Sequence, residues 1–277
     1  MKILLNKIRR KFNVSPITPK TCLMDMPRKF CDVSHLGTFD QHWIEETFSC
    51  PRISKDWSED ALRIEALELP DMTGGVNPGD RRALYYLVRR VKPQRFLEIG
   101  THIGSSTVAL ALAAARNQAE GIDTRILTVD IRDVNDKRAK PWLKAGSSAS
   151  PYAHLASLDL NHLVTFEVNT AAQILDLSTQ NFDMIFLDGD HGAEVVYSEI
   201  PRALKRLGCN GMIILHDFFP NLQTLWPGQI PLPGPFQAVE RILSEGAGFH
   251  VIPFGELPWA TKLGSKVTSL ALLSKQV

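Results

Sequence analysis

Two acidic clusters, Asp188-Gly-Asp190-His191 and His216-Asp217, each follow a short apolar run, Met184 to Leu187 and Met212 to Leu215. Carboxylates in such places are hard oxygen donors suited to magnesium or manganese. An imidazole among them widens the choice to manganese, iron or zinc. A bound divalent ion lowers the pKa of a hydroxyl it touches, and a histidine with an ordinary pKa near ~6.5 takes the released proton at neutral pH. Asp188, His191, His216 and Asp217 are therefore candidates for metal or acid–base chemistry.

A second constellation lies upstream. Arg95 to Thr107 reads as an apolar strand entering a glycine turn that opens a helix, and Leu127-Thr-Val-Asp130 is a strand ending in an acid. Gly100 and Gly104 let the backbone approach a ligand closely, while a carboxylate at a strand tip accepts both hydrogen bonds from ribose hydroxyls. The spacing Gly100-x-x-x-Gly104 lacks the G-x-G-x-x-G fingerprint on which a dinucleotide pyrophosphate settles, so a nucleoside cofactor without a pyrophosphate is expected. Glu98 stands one residue inside the strand end and must find donors or a cation to offset its desolvation. Each residue also has a plain structural reading: Asp130 as a helix cap or a partner of Arg132, and the histidines as satisfied polar groups at buried ends.

These residues need a scaffold that brings strand ends together. The pattern from residue 76 onward alternates strand and helix, which marks a doubly wound parallel sheet. Strands are expected at Phe96 to Ile99, Ile126 to Asp130, Val164 to Val168, Phe182 to Asp188, Met212 to His216, Phe249 to Pro253 and Thr268 to Leu273. Helices are expected at Arg81 to Arg90 behind an Asp80 cap, Ser105 to Arg116, Asp136 to Lys144, Ala171 to Leu177, Ala193 to Leu207 and Phe236 to Glu245. The helix-free connection between the last two strands implies an antiparallel hairpin. The fold class is thus α/β, Rossmann-like, with seven strands mostly parallel and a C-terminal antiparallel strand. Ligands of such sheets sit outside the carboxyl ends of the strands, where every candidate above falls. Glu194 and Glu199 read as the solvated face of a helix. The Pro-rich run from Pro220 to Pro235 reads as a loop walling a substrate pocket with Phe219 and Trp226.

Composition sets the limits. The chain has 277 residues, 44% of them hydrophobic, and a formal charge of +1, so it can bury a large core and offers no global field for nucleic acid. Cys22, Cys31, Cys50 and Cys209 show no zinc-ligand spacing, which favours reduced thiols and a cytoplasmic location. Residues 1–12 are basic, with an apolar run too short to span a bilayer, and read as a solvated amphipathic helix. Residues 1–75 form an N-terminal extension with short helices, serving as a cap or a dimer contact, so a homo-oligomer is a possible assembly. Residues 76–277 form the main domain.

Taken as a set, Glu98-Ile-Gly-Thr-His-Ile-Gly104, Asp130, Phe182 to His191 and Gly211 to Asp217 resemble class I S-adenosylmethionine-dependent methyltransferases. The resemblance extends to a bacterial branch similar to the metal-dependent catechol and caffeoyl-CoA O-methyltransferases. It implies that Glu98, Gly100, Thr101 and Gly104 line the methionine end of S-adenosylmethionine, with Ser105 and Ser106 near its carboxylate. It further implies Asp130 on the ribose, Ile131 on the adenine face, Asn169 and Thr170 at the adenine edge, and Asp188 where cofactor and metal meet. The relatives' fourth strand ends in Asp-x-Asp-Lys or Asp-x-x-Lys and their fifth in Asp-Asn, with one fourth-strand carboxylate and both fifth-strand residues on the metal. This implies Asp188, His216 and Asp217 as metal ligands and Asp188 and His191 as catalytic residues; His191 and His216 depart from the relatives' pattern. The activity implied is methyl transfer to a hydroxyl of a small molecule, a sugar or secondary metabolite, with magnesium or manganese as the metal. Two alternatives are a metal-independent methyltransferase and a non-haem iron hydroxylase built on His191, His216 and an aspartate.

Overall fold

The computed structural model describes residues 22–71, 75–226 and 228–276. The basic start of the chain, expected as an amphipathic helix, lies outside them. The elements run α1 (Gln41–Phe48), α2 (Pro51–Glu65), α3 (Pro78–Val91), β1 (Arg95–Ile99), α4 (Ser105–Ala119), β2 (Arg125–Asp130), α5 (Pro141–Lys144) and α6 (Pro151–Ser157). They continue β3 (Val164–Val168), α7 (Ala171–Leu177), β4 (Phe182–Leu187), α8 (Ala193–Lys205), β5 (Leu207–Leu215), α9 (Pro233–Ser244), β6 (Phe249–Pro253) and β7 (Ala271–Lys275).

The strands form one seven-stranded sheet in the order β3-β2-β1-β4-β5-β7-β6. The pairs β1–β2, β2–β3, β1–β4 and β4–β5 are parallel, while β7 runs antiparallel to both β5 and β6. Side chains alternate across a strand, so Phe96, Met184, Phe186, Met212 and Ile214 pack on one face with α1 to α4 and α6. Leu97, Ile185, Leu187, Ile213 and Leu215 pack on the other with α7, α8 and α9. Both faces are covered, which is why the central strands read as unbroken apolar runs.

The chain order reverses at β1: β2 and β3 lie on one side and β4 on the other. That reversal opens a crevice above the carboxyl ends. Gly100 makes the junction tight. It takes φ +100°, and a Cβ there would lie 2.1 Å from the carbonyl oxygen of Asp188. The glycine therefore serves the approach of β1 to the β4 end, where a ligand was expected to be the close neighbour. At Gly104 (φ +76°) the close neighbour of a Cβ would be Pro151.

Several boundaries differ from the sequence expectation. The helix expected from Arg81 begins at Pro78, because Asn77 is the cap and its Oδ1 accepts from the Asp80 amide at 3.1 Å. The helix expected from Asp136 to Lys144 is reduced to α5, and α6, capped by Ser150, was not anticipated. The fifth strand starts at Leu207, and the last runs Ala271–Lys275. Within the N-terminal segment, Ile44, Phe48, Ile53 and Ile64 belong to the same buried cluster as α3 and α4. Burial of each such side chain contributes ~1.5–3 kcal/mol. Among the described residues no helix is long and apolar enough to cross a membrane.

Candidate active site

A cavity of about 600 Å³ opens above the ends of β1 to β4. Gly100, Thr101, Ser105, Ser106, Asp130, Ile131, Asn169, Thr170 and Asp188 all line it, together with Met26, Gly75 and Val76 from before α3. Local turns hold this wall in place. Asp130 accepts from the His102 amide through Oδ2 at 3.0 Å and from the Arg132 amide through Oδ1 at 3.0 Å. The Arg132 guanidinium lies 3.6 Å from the same Oδ1, so the anticipated Asp130–Arg132 pair coexists with the cavity-facing position. His102 reaches this position with φ +49°, a left-handed conformation that costs of order 1–3 kcal/mol and recurs where function fixes the backbone. Ile131 is 71% exposed, an apolar surface open to a ring. The Asn169 amide donates to the Asp130 carbonyl at 3.0 Å, and Thr170 caps α7 by accepting from the Gln173 amide.

Glu98 and Gly104 do not line this cavity. Glu98 is wholly buried beneath it and accepts from Ser106 Oγ, Thr107 Oγ1 and Thr128 Oγ1, each at 2.6 Å. Burial pushes its carboxyl up to about 7, although the three hydroxyls pull the other way. The donors that its desolvation demanded are thus protein hydroxyls. Ser106, Thr107 and Thr128 belong to α4 and β2, so Glu98 ties the glycine turn to the neighbouring strand.

A second cavity of about 480 Å³ adjoins the first and shares Gly75 and His191 with it. His216, Asp217, Phe219, Trp226, Ile230, Lys262 and Leu263 form most of its remaining wall. The loop after β5 therefore does present Phe219 and Trp226 to a pocket, with Lys262 Nζ 5.3 Å from the Trp226 ring centre.

The charged groups stand where the two cavities meet. Asp188, His191 and Asp217 each offer a ligand atom, all within 4.8 Å of one another. His191 Nδ1 lies 3.5 Å from Asp217 Oδ2. His216 Nδ1 lies 2.8 Å from Asp188 Oδ1 and 3.6 Å from Asp217 Oδ2, buried and outside hydrogen-bond alignment with either. Its other nitrogen, Nε2, faces Asp80 Oδ2 at 3.3 Å. Burial opposes a charge on His216, but Asp188 and Asp217 outweigh it and raise its pKa well above the ordinary value. Burial likewise opposes charge on Asp217, yet the neighbouring His216 and His191 hold its carboxyl down to about 2. Asp217 takes φ +51°, again left-handed.

Some groups were misread or missed in the sequence. Glu199 is 4% exposed and lines the first cavity, contrary to the solvated face expected for it. Burial, with Asp190 adding to it, pushes its carboxyl up to about 8. Asp80, read as a helix cap, is 0% exposed and reaches the strand-end cluster. No local signal marks Asp80, because its partner lies 136 positions away.

Comparison with known proteins adds to this geometry. Residues 97–218 match the family model described as a methyltransferase domain. Over 156 residues the chain is 27% identical to caffeoyl-CoA O-methyltransferase 1 of Zea mays, covering 54% of this chain and half of the maize enzyme. Over 198 residues it is 27% identical to the caffeoyl-CoA O-methyltransferase of Stellaria longipes, covering 69% of this chain and 70% of that one. Among solved structures, the O-methyltransferase TomG from Streptomyces achromogenes, in complex with SAM, superposes with a TM-score of 0.51 at 21% identity, over 83% of this chain and 91% of TomG. The SAH-bound methyltransferase PaMTH1 of Podospora anserina gives a TM-score of 0.53 at 18% identity, over 85% and 93% of the two chains. At these identities the structural likeness speaks for the fold.

Proposed function

We propose that this chain is a class I S-adenosylmethionine-dependent methyltransferase that moves the sulfonium methyl group to a hydroxyl oxygen of a small-molecule acceptor, a reading supported by the methyltransferase-domain match over residues 97–218. One observation carries the reading: the large cavity with the ribose-type carboxylate Asp130 meets the aromatic-walled cavity at Asp188, His191 and Asp217.

In this reading Asp130, fixed by two backbone amides, accepts from the ribose hydroxyls, and Ile131 covers one face of the adenine. Ser105, Ser106 and Thr101 face the methionine end. Phe219 and Trp226 hold the acceptor, and Met26, Gly75 and Val76 close the first cavity as a cap. The acceptor oxygen attacks the methyl carbon as the carbon–sulfur bond breaks, its proton passes to His191, and S-adenosylhomocysteine leaves. Asp217, 3.5 Å from His191 Nδ1, orients the imidazole and stabilises its protonated form. The remaining catalysis is in-line placement of oxygen, carbon and sulfur in a dry site.

The strand-end cluster also fits a divalent ion. A buried imidazole nitrogen without an aligned partner sits between two carboxylates, at separations of 2.8 and 3.6 Å. Ligand atoms each ~2.0–2.2 Å from one ion stand about that far apart. Asp188, His216 and Asp217 would hold it. When bound, the ion lowers the pKa of the acceptor hydroxyl. The oxygen and nitrogen donor set suits manganese better than magnesium. An iron hydroxylase using His191 and His216 would leave the Asp130 cavity without a role.

Calorimetry with S-adenosylhomocysteine tests the reading directly. Binding at micromolar concentration is expected, and its absence overturns the methyltransferase assignment. A chelator should remove turnover and leave that binding unchanged; turnover that survives would support the metal-independent form, with His191 and Asp217 acting alone.

A further inference from the structure

Asp80 lies on the first turn of α3, outside the matched methyltransferase segment, and is fully buried. Its Oδ1 accepts from Thr268 Oγ1 at 2.5 Å, and its Oδ2 accepts from Asn77 Nδ2 at 2.6 Å. The same Oδ2 faces His216 Nε2 at 3.3 Å. The opposite edge of that imidazole presents Nδ1 towards Asp188 and Asp217, and the ring packs edge-on against Phe186 with centroids 6.0 Å apart. A metal-bound histidine characteristically donates its second ring N–H to a carboxylate, which fixes the tautomer and the ring plane. Asp80 and His216 stand in that relation, with the coordinating edge turned to the two strand-end carboxylates.

We propose that Asp80 is a positioning residue that holds His216 with Nε2–H towards helix α3 and Nδ1 towards a divalent cation shared with Asp188 and Asp217. The inference rests on the functional reading above for the location of the metal, and goes beyond it in assigning a residue that no strand-end motif contains. The Thr268 and Asn77 contacts explain how a buried carboxylate keeps one orientation: two donors from the β6–β7 connection and the helix cap occupy its other lone pairs.

The test is calorimetry of the purified full chain with Mn2+ alone, and separately with S-adenosylhomocysteine. Asp80→Asn is expected to weaken Mn2+ affinity about 10- to 100-fold, the range seen when such outer partners are lost, while S-adenosylhomocysteine affinity stays within about twofold. Thr268→Val keeps the carboxylate but removes one of its two anchoring donors, so a smaller loss of Mn2+ affinity, within about threefold, is expected; a loss as large as that of Asp80→Asn would overturn the assignment to the carboxylate itself. In a His216→Gln background, Asp80→Asn should cost nothing further, and an additive loss would overturn the proposal. Should Asp80→Asn fail to fold, electron spin-echo spectra of Mn2+-loaded His191→Ala protein decide. Nitrogen coupling from His216 is expected, and its absence removes the ligand that Asp80 is said to orient. Wild-type protein that binds S-adenosylhomocysteine but no Mn2+ would overturn this inference alone; failure to bind S-adenosylhomocysteine would strike the functional reading instead.

Discussion

The two halves of the crevice are built on different principles. On the β1–β2–β3 side, backbone amides and caps fix the wall: Asp130 accepts from the Arg132 amide two residues on and from the His102 amide of the neighbouring turn, Thr170 caps its own helix, and the Asn169 backbone amide donates to the Asp130 carbonyl of the adjacent strand. On the β4–β5 side, carboxylates and imidazoles hold one another, and their further partners come from α3 and from the β6–β7 connection. The first half holds its carboxylate with backbone donors, which cost little to maintain because they belong to ordinary turns. The second concentrates like charges in a buried place, which is tolerable only with opposite charges at close range. Under the proposed function, binding and chemistry should therefore separate by mutation.

The largest expected effect falls on the β4–β5 side. Asp188→Ala removes a carboxylate from the cluster and should lower turnover by at least ~10³-fold, with S-adenosylhomocysteine affinity within about threefold, measured by single-turnover kinetics beside calorimetry. Equal losses in both would erase the contrast between the halves. Next comes the seam that joins them. Gly100→Ala places a Cβ 2.1 Å from the Asp188 carbonyl in a left-handed conformation, so unfolding in denaturant should show a loss of ~3 kcal/mol or more. An unchanged midpoint would mean that the two strand ends need not touch.

On the β1–β2–β3 side the effect should reverse in kind. Asp130→Ala is expected to weaken S-adenosylhomocysteine binding about 10- to 100-fold, from the loss of two hydrogen bonds to a charged group worth ~1.5–3 kcal/mol each before compensation, with the rate at saturating cofactor nearly preserved. Normal affinity would remove Asp130 from the ribose. The smallest effect concerns pH. The Glu98 carboxyl, at about 7, binds its proton more tightly in the folded chain than in the unfolded one. Its contribution to stability is therefore full below an ordinary carboxylate pKa of ~4.3, falls as pH rises from there through 7, and is level above. Glu199, at about 8, extends the same fall. Thermal melts from pH 5 to 8 should slope less steeply for Glu98→Gln than for the wild type; identical slopes would show that Glu98 is not the titrating group.

This division also explains what could be read from one sequence. Gly100, Ser105, Asp130, Asn169 and Thr170 were legible because strand period, turn glycines and caps are local signals, and all of them line one cavity. Glu98 was singled out for its burial, but which groups would satisfy it was not readable: Thr128 meets it from 30 positions away. Glu199 was misjudged because a charged residue on a helix is usually solvated, and only the packing of α8 buries it.

By itself the sequence determined the alternation of strand and helix, and hence a sheet whose carboxyl ends gather the polar residues, since hydrophobic period and turn chemistry act over a few residues. The tertiary structure alone decided that the chain order reverses at β1, that Gly100 meets Asp188, and that Asp80 reaches His216 across 136 positions. The physical reason is range. Propensity and capping are set by adjacent atoms, whereas the partners of a buried charge are whichever groups close packing brings within about 4 Å.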